Sequence, residues 1–263
     1  ADVKVNTSGE DYASWNWRVN GASTSSNGNG SITSTVQADP SGGFSIVSWT
    51  GVAGTWGTLG TVGHGLSATP TVIWAKNRSG GGEWDCFFND YGDATIGGSN
   101  AASNKLQLDV DSAIYTNQSY ADFGKVMPTS SVFTVNGNLI NQSGGTVIAY
   151  CWTNIEGFIK SGSYHGNGNA DGSFVYTGFR PAFVITKSVE STSSWQMFDD
   201  KRLGYNVDNN ELVAEAVTAE ATTDMIDILS NGFKLRIATD PNVSETYVYI
   251  AMAHNPFKYA TAR

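Results

Sequence analysis

Charged side chains are scarce in this sequence. Only 15% of the 263 residues are charged, and 24 Asp and Glu outnumber 15 Lys and Arg to give a net charge of −9. An average soluble domain carries about 25% charged residues. Neutralising the phosphates of a nucleic acid requires clustered basic side chains, and here they are few and scattered. We therefore expect no nucleic-acid partner.

Cysteine, histidine and long apolar runs are scarce as well. Cys86 and Cys151 are the only cysteines, so the sequence predicts no disulfide framework, and either two buried thiols or one bridge stays open. His64, His165 and His254 do not accompany a recognisable nucleophile motif. No apolar run approaches the roughly 18 residues of a membrane span. We expect no catalytic residue, no cofactor and no membrane insertion.

Glycine and aromatic residues are abundant instead. The chain has 30 Gly, 12 Phe, 11 Tyr and 8 Trp, and its hydrophobic fraction of 40% is enough to bury a core. Stretches rich in Ser, Thr and Asn separate short apolar runs, which is typical of strands joined by turns. The sequence predicts an all-β protein built from antiparallel β-sandwich units of jelly-roll-like form.

Two segments of the chain have the same layout. PTVIWAKNRSGGGEWDCFFND (70–90) and PAFVITKSVESTSSWQMFDDK (181–201) each contain Pro, an apolar strand, Lys, a polar turn and Trp before a second apolar strand. Such a layout predicts the same β-hairpin twice. A second pair, TVIAYCW (146–152) and TYVYIAM (246–252), repeats a later strand. These pairs indicate a tandem repeat.

The repeat divides the chain into units. We predict one β-sandwich unit over residues 43–157 and a second over 158–263. YASWNW (12–17) resembles a last strand, so residues 1–42 are expected to be the terminal strand and linker of a preceding repeat, in a chain cut from a longer array. ELVAEAVTAEA has helical propensity, but its place in the repeat favours mostly strand over 211–229.

Three aromatic residues are candidates for ligand binding. Trp56 stands alone in the loop GVAGTWGTLG, and Tyr115 and Tyr120 lie in a segment that only the first unit has. An exposed ring beside hydroxyl groups is a common way to hold the face of a sugar. Trp84 and Trp195 recur at equivalent hairpin positions, which favours packing in the core or between units.

One segment resembles the start of a calcium loop. NGNADG places Asn167, Asn169 and Asp171 at alternate positions before Gly172. The bidentate Glu that completes such a loop is absent, because Gly178 stands in its place. A Gly/Asn turn between strands is the favoured interpretation, and the metal site is the alternative.

Paired carboxylates could serve glycoside hydrolysis, which needs two acids facing a cleft. The pairs considered include Asp109 with Asp111 and Asp199 with Asp200. A solvated polar face is the favoured interpretation of such pairs in an alternating β-protein.

Several strings of this sequence resemble a known repeat. They include SWNWRVNG, GGFSIVSWTG, PTSSVFTV, GGTVIAYCW and, most specifically, GNGNADGSFVYTGFRPAFVITK. The chain is similar over residues 12–263 to a repeat domain of bacteriophage tail-fibre-like virion structural proteins. Trp152 and His254 depart from the pattern, where Phe and Glu are expected. The resemblance implies a virion structural role and supplies no catalytic residues.

The function expected from the resemblance is that of a non-enzymatic tail-fibre or surface-decoration module that contacts the host. It implies other virion proteins as partners, a homo-oligomer with a trimer favoured, a host cell-surface glycan as a possible ligand, and a location at the virion surface outside the cell. Two alternatives stay open. One is a purely structural capsid or assembly protein, and the other is a polysaccharide-cleaving enzyme of the tailspike type.

Overall fold

The computed structural model describes residues 7–9, 11–19, 23–92, 97–116, 121–137, 139–202, 206 and 210–254. Strands account for 41% of the structure and helix for 2%, which confirms the predicted all-β fold. The described part has one short 3-10 helix, Gly98–Ser103. Within these ranges no helix has the length and apolar character needed to cross a bilayer.

The first half of the chain forms a seven-stranded sheet and a two-stranded sheet. The seven-stranded sheet has the order β1-β2-β3-β9-β5-β6-β7, and β4 pairs with β8 in the smaller sheet. These strands are β1 Ser25–Asn27, β2 Ser34–Asp39, β3 Phe44–Thr50, β4 Leu59–Gly63, β5 Val72–Asn77, β6 Asp85–Phe88, β7 Leu106–Gln107, β8 Val132–Asn136 and β9 Thr146–Trp152.

The second half forms a five-stranded and a three-stranded sheet, of orders β10-β17-β12-β13-β14 and β11-β16-β15. Neighbouring strands in all of these sheets run antiparallel. The strands are β10 Ile159–His165, β11 Phe174–Tyr176, β12 Pro181–Ser188, β13 Gln196–Asp199, β14 Leu212–Val213, β15 Ile226–Leu229, β16 Gly232–Leu235 and β17 Thr246–Ala253.

The two halves have central sheets of the same strand order. Five strands of each central sheet are arranged alike. Across the sheet, the first half has the order β3, β9, β5, β6 and β7. The second half has the corresponding strands in the order β10, β17, β12, β13 and β14. The predicted hairpins at 70–90 and 181–201 are confirmed as β5–β6 and β12–β13. The division into three domains stays a prediction.

The sheets stack in four layers. Trp49 on one face of the first central sheet packs edge-on against Phe133 of β8, with ring centroids 5.6 Å apart. On the opposite face, Phe88 stacks on Trp195 of the second half at 6.3 Å. The far face of the second central sheet brings Tyr249 to 5.5 Å from Phe233 of β16. Because side chains alternate across each strand, the two central sheets therefore share one core and each also packs on a small sheet.

The N-terminal segment differs from its prediction. Residues 12–17 form no strand, and Trp15 and Trp17 instead pack their rings on Phe183 of β12. The predicted boundary at residue 43 lies within a hairpin, because β2 pairs with β3 along its whole length. The strand resemblance of YASWNW was misleading because an aromatic run can bury its rings without any partner for its backbone.

One further prediction from local pattern was only partly right. Residues 211–229, expected to be mostly strand, contain only the short β14 and β15. Val217 between them is 96% exposed, so this stretch does not bury the apolar face that a strand would need.

The two cysteines are both free and buried. On β5, Trp74 pairs with Cys86 and its neighbour Ile73 pairs with Cys151. Adjacent residues of a strand point to opposite faces of the sheet, so Cys86 and Cys151 lie on opposite faces and do not form a bridge. Burial raises the pKa of both thiols above the ordinary value.

Candidate functional site

A cavity of about 590 Å³ lies where the segment 11–19 covers the ends of the two central sheets. Strands of both halves begin or end here, since Phe44 pairs with Trp152 at one end of the first sheet and Ile159 with Met252 at one end of the second. Its volume falls in the range of roughly 300–1,000 Å³ that is usual for small-molecule sites.

Aromatic rings form much of the cavity wall. Trp15 and Trp17 place their rings 5.7 and 5.8 Å from the ring of Phe183. Trp17 donates its indole N–H to the sulfur of Met252 and stays 39% exposed. On the other side, Phe44 stacks on Trp152 at 5.1 Å. The cavity thus offers an accessible indole above an otherwise buried aromatic floor.

Asp199 and Arg202 form the polar side of the cavity. Asp199 Oδ1 accepts the backbone N–H groups of Lys201 and Arg202 at 2.9 Å each, and Oδ2 accepts Arg202 Nε at 2.7 Å and Trp15 Nε1 at 3.2 Å. Burial raises the pKa of Asp199, but these hydrogen bonds outweigh it and hold the pKa below its usual value. Asp199 is therefore an ionised carboxylate that positions Trp15.

Asp200, which also lines the cavity, makes a second set of contacts. Its carboxylate is 1% exposed and accepts from Nδ1 of His254. Arg180 and Lys201 lie 3.7 Å from its oxygens. His254 thus contributes an imidazole to a carboxylate that two cations already approach.

The aromatic residues predicted to bind a ligand lie elsewhere. Trp56 stands on a turn and is 43% exposed, and the next residue, Gly57, donates its N–H to Asn136 Oδ1 at 2.9 Å. Tyr115 is half-buried, with its ring 5.9 Å from Lys105 Nζ. Tyr120 lies outside the described residues. The structure does not bring Trp56 and Tyr115 to the cavity, and a binding role for each stays a prediction.

The segment that resembles a calcium loop, residues 167–172, is a turn held by hydrogen bonds to asparagine side chains. Asn167 Oδ1 accepts from the N–H of Asn169 at 3.0 Å and from Asn242 Nδ2 at 2.9 Å, and Asn169 Oδ1 accepts from the N–H of Asp171 at 2.9 Å. The carboxylate of Asp171 pairs with Lys234 at 2.7 Å. Across the residues that the structure describes, no cluster of three His, Cys, Asp or Glu side chains could hold a metal ion.

Sequence reasoning missed the cavity for a physical reason. Its walls come from chain segments more than a hundred residues apart, and no local pattern marks them. Trp15 and Trp17 were expected in a terminal strand, and the pairing of their rings with Phe183 depends on where the second sheet lies. The adjacent Asp199 and Asp200 were the one usable signal, because this pair does line the cavity.

Comparison with known proteins gives a family and no named relative. Searches of curated proteins and of solved structures found no match to this chain. One family model matches residues 1–256, which is nearly the entire sequence. The chain therefore belongs to the family described as Domain of unknown function (DUF7483).

Proposed function

We propose that this chain is a non-enzymatic structural module of a bacteriophage virion, of the tail-fibre or surface-decoration kind, and that it holds a host-surface saccharide in the aromatic cavity. The observation that carries the binding part is the accessible indole of Trp17 beside Phe183, next to the polar groups of Asp199 and Arg202. Saccharides stack their apolar face on such rings and direct their hydroxyl groups to flanking polar atoms.

The virion part rests on the sequence resemblance and on the architecture. Two central sheets of equal strand order, packed face to face through a common core, give a rigid unit well suited to a particle surface or fibre. A location outside the cell, virion partners and assembly as a homo-oligomer, with a trimer favoured, belong to the same proposal. Multiple copies would raise the avidity of a weak saccharide contact.

A saccharide array of bacterial surface polysaccharides tests the binding role. The chain should bind a subset of them, and Trp17→Ala should weaken binding at least about tenfold because it removes the stacking surface. Trp56→Ala is the matched control, a second exposed indole outside the cavity. Loss of binding only in Trp56→Ala would move the site to that turn. Absence of binding by the unsubstituted chain would leave the purely structural role.

A polysaccharide-cleaving enzyme is the second candidate, because Asp199 and Asp200 share the cavity. Against it, cleavage needs one carboxyl group able to donate a proton, and the hydrogen bonds to Asp199 keep its pKa low. Release of reducing ends from a bound polysaccharide, abolished in Asp199→Asn, would establish the enzyme. Binding without such release supports the non-enzymatic role.

A further inference from the structure

A lysine and two aspartates meet in the interior of the first half. Lys105 Nζ lies 2.7 Å from Asp85 Oδ1 and 2.6 Å from Asp122 Oδ2. The side chain of Asp85 is fully buried, that of Asp122 is 3% exposed and that of Lys105 is 11% exposed. An amine and two carboxyl groups are thus held within contact distance where water has little access.

The fold fixes these three residues from three directions. Asp85 begins β6 and pairs with Gln107 of β7, two residues after Lys105. The backbone of Lys105 exchanges two hydrogen bonds with Tyr115, at 3.1 and 2.9 Å. Asp122 is held through its carbonyl oxygen, which accepts the N–H of Asn136 on β8 at 2.8 Å. None of the three side chains has to move for Nζ to meet a carboxyl group.

Gln107 Nε2 donates to Asp85 Oδ1 at 3.3 Å, and aromatic rings lie beside the carboxyl groups. Phe87, two residues after Asp85 on the same strand face, packs on Phe123, the neighbour of Asp122, with ring centroids 5.6 Å apart. Asp85 Oδ2 and Asp122 Oδ1 are among the buried oxygens of the described residues that have no hydrogen-bond partner. A purely structural ion pair would be expected to satisfy these atoms.

The charges of the cluster do not balance unless it holds an extra proton. One ammonium faces two carboxylates, and burial together with the charge of Asp122 raises the pKa of Asp85 to about 7. Burial lowers the pKa of Lys105, but the two carboxylates outweigh it and keep that pKa above its ordinary value. Asp85 is therefore the carboxyl group raised toward holding the extra proton, next to a charged Lys105.

We propose that Lys105 and Asp85 join in an intramolecular isopeptide bond, with Asp122 as the group that accepts and returns the proton. The amine, the carboxyl group and the proton acceptor needed for amide formation are all present, and the reaction needs no cofactor or oxidant. This inference is independent of the saccharide site, because none of the three residues lines that cavity.

The reaction balances within the cluster. Lys105 gives a proton to Asp122, and the neutral Nζ attacks Cγ of the protonated Asp85. Asp122 passes that proton to the departing hydroxyl as the Cγ–O bond breaks and water leaves, and it then takes the second proton that Nζ loses on becoming an amide nitrogen. The Nζ–Cγ amide bond has formed, one water has been released, and Asp122 keeps the proton that began on the ammonium. No electron transfer takes place.

The second half of the chain provides an internal comparison. Register places Gln196 and Glu211 where the first half has Asp85 and Lys105, because Gln196 pairs with Val213 as Asp85 pairs with Gln107. Glu211 also bridges to Ala221 as Lys105 bridges to Tyr115. No lysine stands in this second cluster position, so the bond is expected in the first half alone.

Intact mass of the full chain, measured after denaturation, tests the proposal. The chain should be lighter than its sequence by one water, about 18 Da. Tryptic digestion should leave Lys105 uncleaved and yield a branched peptide joining residues 85 and 105. A mass equal to that of the sequence, or a branch to Asp122 in place of Asp85, would overturn the proposal.

Three variants separate bond formation from simple ion pairing. Lys105→Arg keeps the positive charge but lacks the primary amine, and Asp122→Asn removes the proton acceptor, so both should show their full sequence mass. Lys76→Arg is the matched control, since Lys76 pairs with Asp109 at 3.1 Å in a more exposed position, and it should keep the loss of water. Loss of water in Lys105→Arg, or unchanged loss in Asp122→Asn, would contradict the assigned roles.

Discussion

Trp195 of the second half donates its indole N–H to the backbone carbonyl of Gln107 in the first half, at 2.7 Å. The indole is 1% exposed and also stacks on Phe88 at 6.3 Å. Two backbone hydrogen bonds also join the halves, from the N–H of Ser193 to the carbonyl of Asp111 at 2.9 Å and from the N–H of Ile114 to that of Val189 at 3.0 Å. The two halves are therefore connected by buried contacts as well as by the polypeptide backbone.

Trp195→Phe should destabilise the entire molecule and not the second half alone. The variant keeps an aromatic ring but leaves the buried carbonyl of Gln107 without its donor, at a cost of about 1–3 kcal/mol. Chemical denaturation followed by tryptophan fluorescence and by circular dichroism should give one coincident transition, shifted to lower denaturant.

Trp84→Phe is the control for this substitution. Trp84 is the repeat equivalent of Trp195 but is only half-buried, stacking on Tyr150 at 5.7 Å. Its replacement should cost less than that of Trp195. Two separated transitions in Trp195→Phe, with the first half unaffected, would show that the halves unfold independently.

The sequence was informative where a pattern is local. A Pro, an apolar run, a Lys, a polar turn and a Trp predicted two hairpins, and β5–β6 and β12–β13 lie there. The second repeated pair also predicted a strand at 146–152 and at 246–252, and β9 and β17 lie there. In these segments the turn and the apolar residues lie within about twenty residues of each other, so interactions between sequence neighbours are enough to predict the structure.

The sequence was uninformative where burial depends on distant segments. In the sequence, Asp85 and Lys105 resemble ordinary polar residues. Their exclusion from water depends on the packing of Phe123 over β6. Trp17 looks like a core residue but remains accessible, because nothing in the described structure covers its outer face completely. The Lys105 cluster and the aromatic cavity both arise from tertiary packing, which no short sequence motif predicts.

Acid sensitivity should arise from His64. This imidazole is fully buried, accepts the N–H of Leu66 on Nδ1 and therefore donates from Nε2 to the carbonyl of Thr129 at 3.2 Å. Burial lowers its pKa, and the contact with Thr129 only partly offsets this. The unfolded chain takes up a proton near pH 6.5, roughly the ordinary value, before the folded chain does, so the contribution of His64 to the free energy of unfolding should fall as the pH drops below that point.

Denaturation at a series of pH values from about 7.5 to about 5 checks this expectation. His64→Gln should remove that part of the pH dependence, although the substitution itself lowers stability at every pH. His165→Gln, at an exposed position, is the matched control substitution. Equal slopes for the unsubstituted chain and His64→Gln would contradict the assignment.

Asn242 should be among the most sensitive polar positions. Its amide is fully buried, and Nδ2 contacts Asn167 Oδ1 at 2.9 Å, the Asn169 carbonyl at 2.8 Å and the Ile237 carbonyl at 2.7 Å. Asn242→Ala leaves these acceptors without their donor, which should cost on the order of 3 kcal/mol. The exposed Asn29 is the control, and Asn29→Ala should change the unfolding free energy by less than about 0.5 kcal/mol.

Calcium should not stabilise the turn at residues 167–171. The side-chain oxygens of Asn167 and Asn169 already accept hydrogen bonds within the turn, and the hydrogen bond from Lys234 lowers the pKa of Asp171 by stabilising its charge. A calcium ion would have to displace that ammonium and would gain one carboxylate, which is less charge than calcium loops supply. Thermal unfolding in millimolar calcium and in chelator should therefore give the same Tm. A rise of several degrees with calcium that disappears in Asp171→Asn would instead establish the metal site.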